Sequence, residues 1–304
     1  MTSDQIRYFL EAAERGSMTA AAERLYLAQS TLSRQIALLE EEFGTRLFDR
    51  DKSGLRLTRA GEVFCDEVRA IYAREQNLRA KLEQADRGRP ESFQLAILEE
   101  TIPPEVLVRA VRALRDERPG IALTVRPMSI HGIFMALDTG SIDAAYTLRN
   151  NVEMVPDAEF LPVACEKMCV AADECAPLPD RATLTEDEVC RIAGAMEFYM
   201  IEPDIFGDRI GARLRRQLRS ELSPHVRYAQ SDGQITTQVL FGLGAALVHE
   251  SHRLGRTPGI CLRPVVDAAP VELVAAYRRQ NENPALAAFL ERLRAGLETA
   301  RADG

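Results

Sequence analysis

No stretch of this chain is apolar for long enough to cross a bilayer: the longest apolar run, Val239 to Val248, is about half of what a spanning helix needs. No leader-like segment stands ahead of the first amphipathic stretch, so the expected compartment is the cytoplasm, with no membrane partner. The common catalytic signatures are missing as well. There is no GxSxG, no P-loop and no HExxH, and His249-x-x-His252 has the wrong spacing for two zinc ligands on one helix face. That pair reads instead as a loop after a strand. Asp138-Thr139-Gly140 spells the aspartic-protease triplet but occurs once, whereas that chemistry needs two carboxylates sharing a proton. It reads as a helix end capped by Gly140. Gly242-Leu243-Gly244 lacks the rest of a dinucleotide fingerprint. Six cysteines, Cys65, Cys165, Cys169, Cys175, Cys190 and Cys261, include no CxxC. Cys165-x3-Cys169 is expected on one face of a strand, where cysteine packs as a small apolar residue. These absences point away from an enzyme and imply no resident cofactor or metal.

What is present is concentrated near the N-terminus. Ala20, Ala21 and Ala22 are small enough for one helix to cross closely over another, and Leu25 and Leu27 flank a turn. In the next helix Leu32, Ile36, Leu39 and Phe43 recur at the period of one buried face. Gln29, Ser30, Ser33, Arg34 and Gln35 fall mostly on the opposite side. Amides pair with adenine edges, arginine with guanine or phosphate, and hydroxyls with either, so this face carries the chemistry of major-groove readout.

Gly44 suits the left-handed position that ends a helix, and Leu47-Phe48 and Leu55-Arg56-Leu57 read as two short strands around Asp51-Lys52-Ser53-Gly54. That is a wing. From 46 to 59, Arg46, Arg50, Lys52, Arg56 and Arg59 face only Asp49 and Asp51, in a chain whose net charge is −8. Counterion release at phosphates depends on such a local patch more than on the sign of the whole protein.

On these residues, together with Phe9, Leu39-Glu40, Leu47-Phe48, Arg50 and Leu57-Thr58-x-Ala60-Gly61, residues 4 to 62 resemble the winged helix-turn-helix of LysR-type transcriptional regulators. One position departs from the pattern. The family usually caps the recognition helix with serine or threonine, and Ala28 stands here, a loss of about 1 kcal/mol of local stability. The expected DNA-facing set is Gln29, Ser30, Thr31, Ser33, Arg34 and Gln35 on the helix, with Arg50, Lys52, Arg56 and Thr58 in and beside the wing.

Beyond the wing, Thr58 suits the N-cap of a long helix. Phe64, Val68, Ile71, Glu75, Leu78, Leu82 and Ala85 alternate at four and three residues, which is a heptad seam. A helix lying on its own domain would show the same spacing. Arg87-Gly88-Arg89-Pro90 breaks it, and the rest alternates short apolar runs with amphipathic stretches, the signature of a parallel sheet covered by helices. A further helix is expected near 207 to 221. Arg118-Pro119-Gly120-Ile121, Leu137-x-x-Gly140-x-Ile142-Asp143-Ala144 and Leu243-Gly244-x-Ala246-Leu247-Val248 extend the resemblance to the family's effector domain.

The fold class expected is therefore α/β: a winged helix-turn-helix (1–62), a linker helix (63–89) and a two-lobed, periplasmic-binding-protein-like effector domain (90–304). Lobe I is expected at about 92–160 and 267–304, and lobe II at about 161–266. The resemblance implies a double-stranded DNA operator, a small-molecule effector, dimers or tetramers of the chain, and RNA polymerase as partners. By position, Thr101, Ser129, Ile130, His131, Arg149 and Glu202 are the candidate effector residues. Glu99, Glu100 and Glu202 would repel a carboxylate unless Arg149 or a helix terminus outweighs them. Two alternatives stay open: a redox sensor using effector-domain cysteines, and an enzyme or ligand-binding domain fused to a DNA-binding head.

Overall fold

The computed structural model describes residues 1–51, 54–87, 91–153, 155–201, 225–229 and 231–302. They belong to two compact units, Met1–Arg89 and Pro90–Gly304. The helix expected near 207 to 221 lies outside the described residues.

In the first unit, α1 (Ser3–Arg15) opens with a reciprocal cap between Thr2 and Gln5 and closes on left-handed Gly16. Helix α2 (Met18–Arg24) is capped by Ser17, and α3 (Gln29–Phe43) begins at Ala28 with no side-chain cap. Strands β1 (Phe48–Asp51) and β2 (Gly54–Leu57) pair antiparallel, with Asp49 opposite Arg56. Helix α4 (Arg59–Arg87) follows.

Phe9 organises the packing. It has no exposed surface and lies 5.0 Å from the Phe48 ring and 4.9 Å from the Phe64 ring, the latter edge on. The wing and α4 are thereby fixed to α1. Glu40 fastens the other side: its Oε1 accepts the Leu47 N–H at 2.8 Å and the Phe48 N–H at 3.1 Å, tying α3 to the start of β1. Thr58 caps α4, accepting from Gly61 N–H at 2.9 Å. Gly61 sits where no side chain fits, since a Cβ there would lie 2.0 Å from the Leu47 carbonyl oxygen.

The second unit contains two sheets. In chain order the first part is β3 (Ser92–Leu98), α5 (Glu105–Glu117), β4 (Ala122–Met128), α6 (Ile130–Thr139), β5 (Ala144–Leu148) and β6 (Ala158–Glu166). Next come β7 (Met168–Asp173), α7 (Glu186–Ala195), β8 (Phe198–Ile201), β9 (Val226–Ala229), α8 (Asp232–Leu240), β10 (Ala245–His249) and β11 (Ile260–Pro264). The chain ends with β12 (Val271–Arg278) and α9 (Pro284–Ala302). The sheet orders are β4-β3-β5-β12-β6 and β11-β7-β10-β8-β9.

Strands β4, β3 and β5 run parallel, and β12 runs against β5 and β6. Helices cover both faces of this sheet. Leu107, Leu114, Phe289 and Leu293 pack on Phe93, Leu95 and Tyr146, while Ile133 and Leu137 pack on Ala96, Leu98 and Val274. Asp143 binds the pieces together, accepting from Gln94 N at 2.8 Å, Asn281 Nδ2 at 3.1 Å and Asn283 Nδ2 at 2.9 Å. Such a carboxylate fixes three segments at once.

The first crossing between sheets comes later than residue 160. Strand β6 stays in the first sheet to Glu166, held by pairing along β12 from Val271 to Arg278. Cys165 and Cys169 therefore do not share a strand face. Cys165 is exposed on β6 and Cys169 is buried in β7 of the other sheet, because the crossing lies between them.

The Gly61 contact yields a test. Gly61→Ala forces the start of α4 away from the wing and should cost about 1 to 3 kcal/mol. Chemical denaturation of the variant, with loss confined to the N-terminal unit, checks it.

Candidate functional site

The outer face of α3 is the first candidate surface. Leu32, Ile36 and Leu39 have no exposed surface, and on the other side Gln29, Ser30, Thr31 and Arg34 are exposed, with Ser33 and Gln35 half-buried. The amphipathic period thus separates a packing stripe from a polar one. Arg56 is exposed on β2. The Arg50 side chain and Lys52 lie outside the described residues. Thr58 departs from expectation: its hydroxyl donates to the Arg46 carbonyl at 2.7 Å while accepting from Gly61 N–H, so its proton is already used in positioning α4.

Tyr26 escaped the sequence reading. It stands in the turn before α3 at φ 56 and is 91% exposed. The only signal was its place between two leucines whose side chains turn inward.

The second candidate surface is the seam between the two sheets of the larger unit. After β3 the backbone turns left-handed at Glu100, φ 59, and runs along the residues that follow β10. Ile102 N donates to Ser251 O at 2.9 Å, Arg253 N to Glu100 O at 2.7 Å, and Thr101 bridges to His252. Between these strands lies a polar chain. Thr101 Oγ1 is 3.1 Å from His249 Nε2, and His249 Nδ1 is 3.3 Å from Glu166 Oε2 and 3.2 Å from Ser251 Oγ. Glu166 also accepts the Ser251 N–H at 2.8 Å.

Among the described residues, several acidic groups lie along this seam. Glu100 accepts from Thr236 Oγ1 at 3.1 Å and lies 3.8 Å from Arg253. Asp232, in the first turn of α8, is buried and faces Glu99 and Glu100. Its burial, followed by those two charges, pushes its carboxyl up to about 7. Burial alone would raise Glu166, yet the bonds from His249 and Ser251 outweigh it and hold that carboxyl below its ordinary value. His252 has 1% exposure, and burial, then His249, pushes it down to about 3. Its Nδ1 accepts from Leu254 N–H, which leaves the proton on Nε2, and that buried atom has no hydrogen-bond partner.

The other expected effector residues are more dispersed. Ser129 caps α6, accepting from Gly132 N–H at 3.2 Å. Ile130, the first residue of α6, packs partly buried against the core, and His131 is half-buried beside it in the same turn. Arg149 is held by Glu272 at 2.7 Å and Glu153 at 3.2 Å, over the Phe160 ring. It lines a cavity of about 270 Å³ with Cys165, Val271 and Glu272, which contains none of Thr101, Ser129, Ile130 or His131. Glu202 lies outside the described residues. Sequence reasoning missed His249 as the partner of Thr101, Glu166 and Ser251 as the partners of His249, and Asp232 as the acid near Glu99 and Glu100. His249-x-x-His252 was visible as a pair, but its partners lie far away in the chain. Asp232 looked like any acid at a helix start.

Cys169 offers little to redox chemistry. Burial, followed by Glu250 and Glu166, pushes the Cys169 thiol up to about 12, which opposes the reactive thiolate. No group of His, Cys, Asp or Glu among the described residues could hold a metal ion. No described helix is long and apolar enough to cross a membrane.

Titration of the seam has a testable consequence. Asp232 binds its proton more tightly folded than unfolded, so it removes stability as pH rises from about 4 to 7. His252 does the opposite, binding its proton more tightly unfolded, so its stabilisation is lost as pH falls from 6.5 towards 3. The two slopes offset each other between pH 4 and 6.5. Asp232→Asn should expose the rising His252 slope and be more stable than the parent at pH 8 but not at pH 4. Urea unfolding at several pH values measures both.

Comparison with known proteins fits this geometry. Residues 3–62 match the family described as bacterial regulatory helix-turn-helix protein, lysR family, and residues 89–298 match the LysR substrate binding domain. The chain is 27% identical over 291 residues to the HTH-type transcriptional regulator XapR of Escherichia coli (strain K12), covering 95% of this chain and 96% of that protein. It is 33% identical to the regulator ClcR of Pseudomonas putida over 142 residues, 47% of this chain and 48% of that protein. The crystal structure of CbnR, a LysR family transcriptional regulator, superposes with a TM-score of 0.62 at 22% identity, covering 98% of this chain and 99% of that one. CbnR complexed with its target DNA gives 0.58 at 21% identity, with 97% and 100% covered. At such identities the structures show a shared fold. With both of its units matched by that family's domains, the chain belongs to the LysR family and is a DNA-binding transcriptional regulator with an effector-binding substrate domain, not an enzyme.

Proposed function

We propose that this regulator reads its operator through the exposed face of α3 and answers to a small molecule bound at the seam around Thr101. The observation that carries the first half is the division of α3 into a fully buried apolar stripe and an exposed face of Gln29, Ser30, Thr31 and Arg34. Those side chains supply acceptors and donors for base edges, with Ser33 and Gln35 at the margin. Ala28 gives the first-turn N–H groups of α3 no side-chain acceptor, which leaves donors for a phosphate at a helix N-terminus. Arg56, with Arg50 and Lys52 of the same wing, supplies charge to the phosphate backbone, and Thr58 acts by holding α4.

The linker helix supports self-association. Ile71, Leu78 and Leu82 are 46%, 56% and 60% exposed, at heptad spacing along α4, whereas Val68 is buried on its own unit. A second copy of α4 would cover that stripe as a coiled coil, and two heads would then read two half-sites. Pairing of dimers into tetramers, contact with RNA polymerase and action in the cytoplasm belong to the same reading. The effector half rests on the convergence of two sheets at Thr101, where strand ends and the α8 N-terminus meet.

Arg34→Ala should weaken operator binding by about 1 to 3 kcal/mol more than binding to random DNA. Competition gel shifts measure the ratio, and an unchanged footprint preference would refute the assignment. Arg56→Ala should weaken binding to every sequence and lower the salt slope by about one unit. Ile71→Asp with Leu78→Asp should yield monomers by sedimentation and leave half-site occupancy only.

A further inference from the structure

Helices α1 and α3 leave through glycine on left-handed backbone, Gly16 at φ 58 and Gly44 at φ 64. Helix α2 makes its left-handed exit with a tyrosine. Tyr26 stands at φ 56 with its N–H bonded to Glu23 O at 3.1 Å, and Leu27 N closes the turn on Ala22 O at 2.9 Å. This pair of bonds is a common helix ending, in which glycine or asparagine is the usual left-handed residue because a Cβ is strained there. Tyrosine is the less stable choice.

Nothing among the described residues offsets that strain. Two other described residues that are not glycine share the conformation, and both use their side chains inside the fold: Glu100 accepts from Thr236 Oγ1 at 3.1 Å and Asp157 from Gln280 Nε2 at 3.0 Å. Tyr26 is 91% exposed, lies outside the apolar cluster of its unit and makes no bond through its hydroxyl to a described residue. A lone exposed aromatic on relaxed backbone needs no explanation. One kept where its removal would relieve strain points to a partner outside the chain.

Position and chemistry narrow that partner. Tyr26 is three residues before Gln29, so their Cα atoms lie within about 11 Å, and the chain is exposed at Tyr26 and again from Ala28 to Thr31. Where the start of α3 contacts base edges, the helix before it crosses the sugar-phosphate backbone, and the turn joining the two lies between. A phenol O–H is a neutral donor of the kind that phosphate oxygens accept.

We propose that Tyr26 donates its hydroxyl to a phosphate of the operator backbone beside the groove that α3 enters, fixing the register of that helix without reading a base. This deepens the reading of α3 as the operator-facing helix and rests on it. Being uncharged, the contact displaces no counterion, which separates it from the arginines of the wing.

The test uses the full-length protein and a duplex that the parent selects from a randomised pool. Tyr26→Phe, which keeps the ring and the backbone, should bind that duplex about 3- to 10-fold more weakly, with the same salt slope and the same ranking of its single-base variants. Replacing one backbone phosphate at a time by methylphosphonate should find a position that weakens the parent and leaves Tyr26→Phe unaffected. Tyr26→Asn should lose the same affinity yet unfold at higher urea, since asparagine relieves the backbone. Parent-like binding by Tyr26→Phe, or no phosphate position that tells it from the parent, overturns the proposal. So does a changed base ranking, which would make Tyr26 a base reader, or a changed salt slope, which would mean that it acts through an arginine. Unfolding of Tyr26→Asn at lower urea overturns it in favour of a structural role. Failure of the α3 reading registers separately, as Arg34→Ala leaving base preference unchanged whatever the Tyr26 variants do.

Discussion

The contact of Thr101 with His249, 3.1 Å apart and 148 positions apart in the chain, is the joint on which the larger unit depends. It exists because the chain leaves the first sheet after Glu166 and returns at β12, so that the ends of β3 and β10 meet. Backbone bonds from Ile102 and Arg253 close the joint. Glu100 pays for that closure with a left-handed backbone, a strain of about 1 to 3 kcal/mol for a residue that is not glycine. The geometry explains why it is kept. In that conformation its carbonyl reaches Arg253 N while its carboxylate reaches Thr236.

Much of the smaller unit was legible in the sequence because its signals are local. The 3.6-residue period of Leu32, Ile36 and Leu39 fixes which face of α3 is free, and Gly44 fixes where it ends. The wing could be read from two short apolar runs around a turn. The role of Glu40 was not, because a glutamate late in a helix has the same appearance whether it is solvated or bonded to Leu47 and Phe48. Gly61 is similar: its necessity comes from the carbonyl of Leu47, fourteen positions away, which no local pattern encodes.

The seam was less legible for the same reason taken further. Apolar periodicity marks Phe93–Leu98 as a strand, 104 to 118 as a helix and Ala245–Val248 as a strand, and β3, α5 and β10 stand there. Which loops face each other depends on where the chain changes sheets. That point sits at Lys167, inside a run that reads as one continuous strand, and misplacing it put Cys165 and Cys169 together. Thr101 and Arg149 were grouped by position, and position does not encode that Glu272, far along the chain, holds Arg149.

The charges at the seam also bear on how a ligand would be felt at a distance. Glu99 and Asp232 stand on different lobes, so their repulsion favours separation, while neutral backbone bonds at Ile102 and Arg253 favour closure. A ligand that changes either term shifts the populations of two lobe arrangements. The shift is bounded by the difference in affinity for the two arrangements. A ligand touching one lobe has little such difference. One bridging both lobes makes most of its bonds in a single arrangement, so a site shared between the two sheets suits a switch better than a site on either alone.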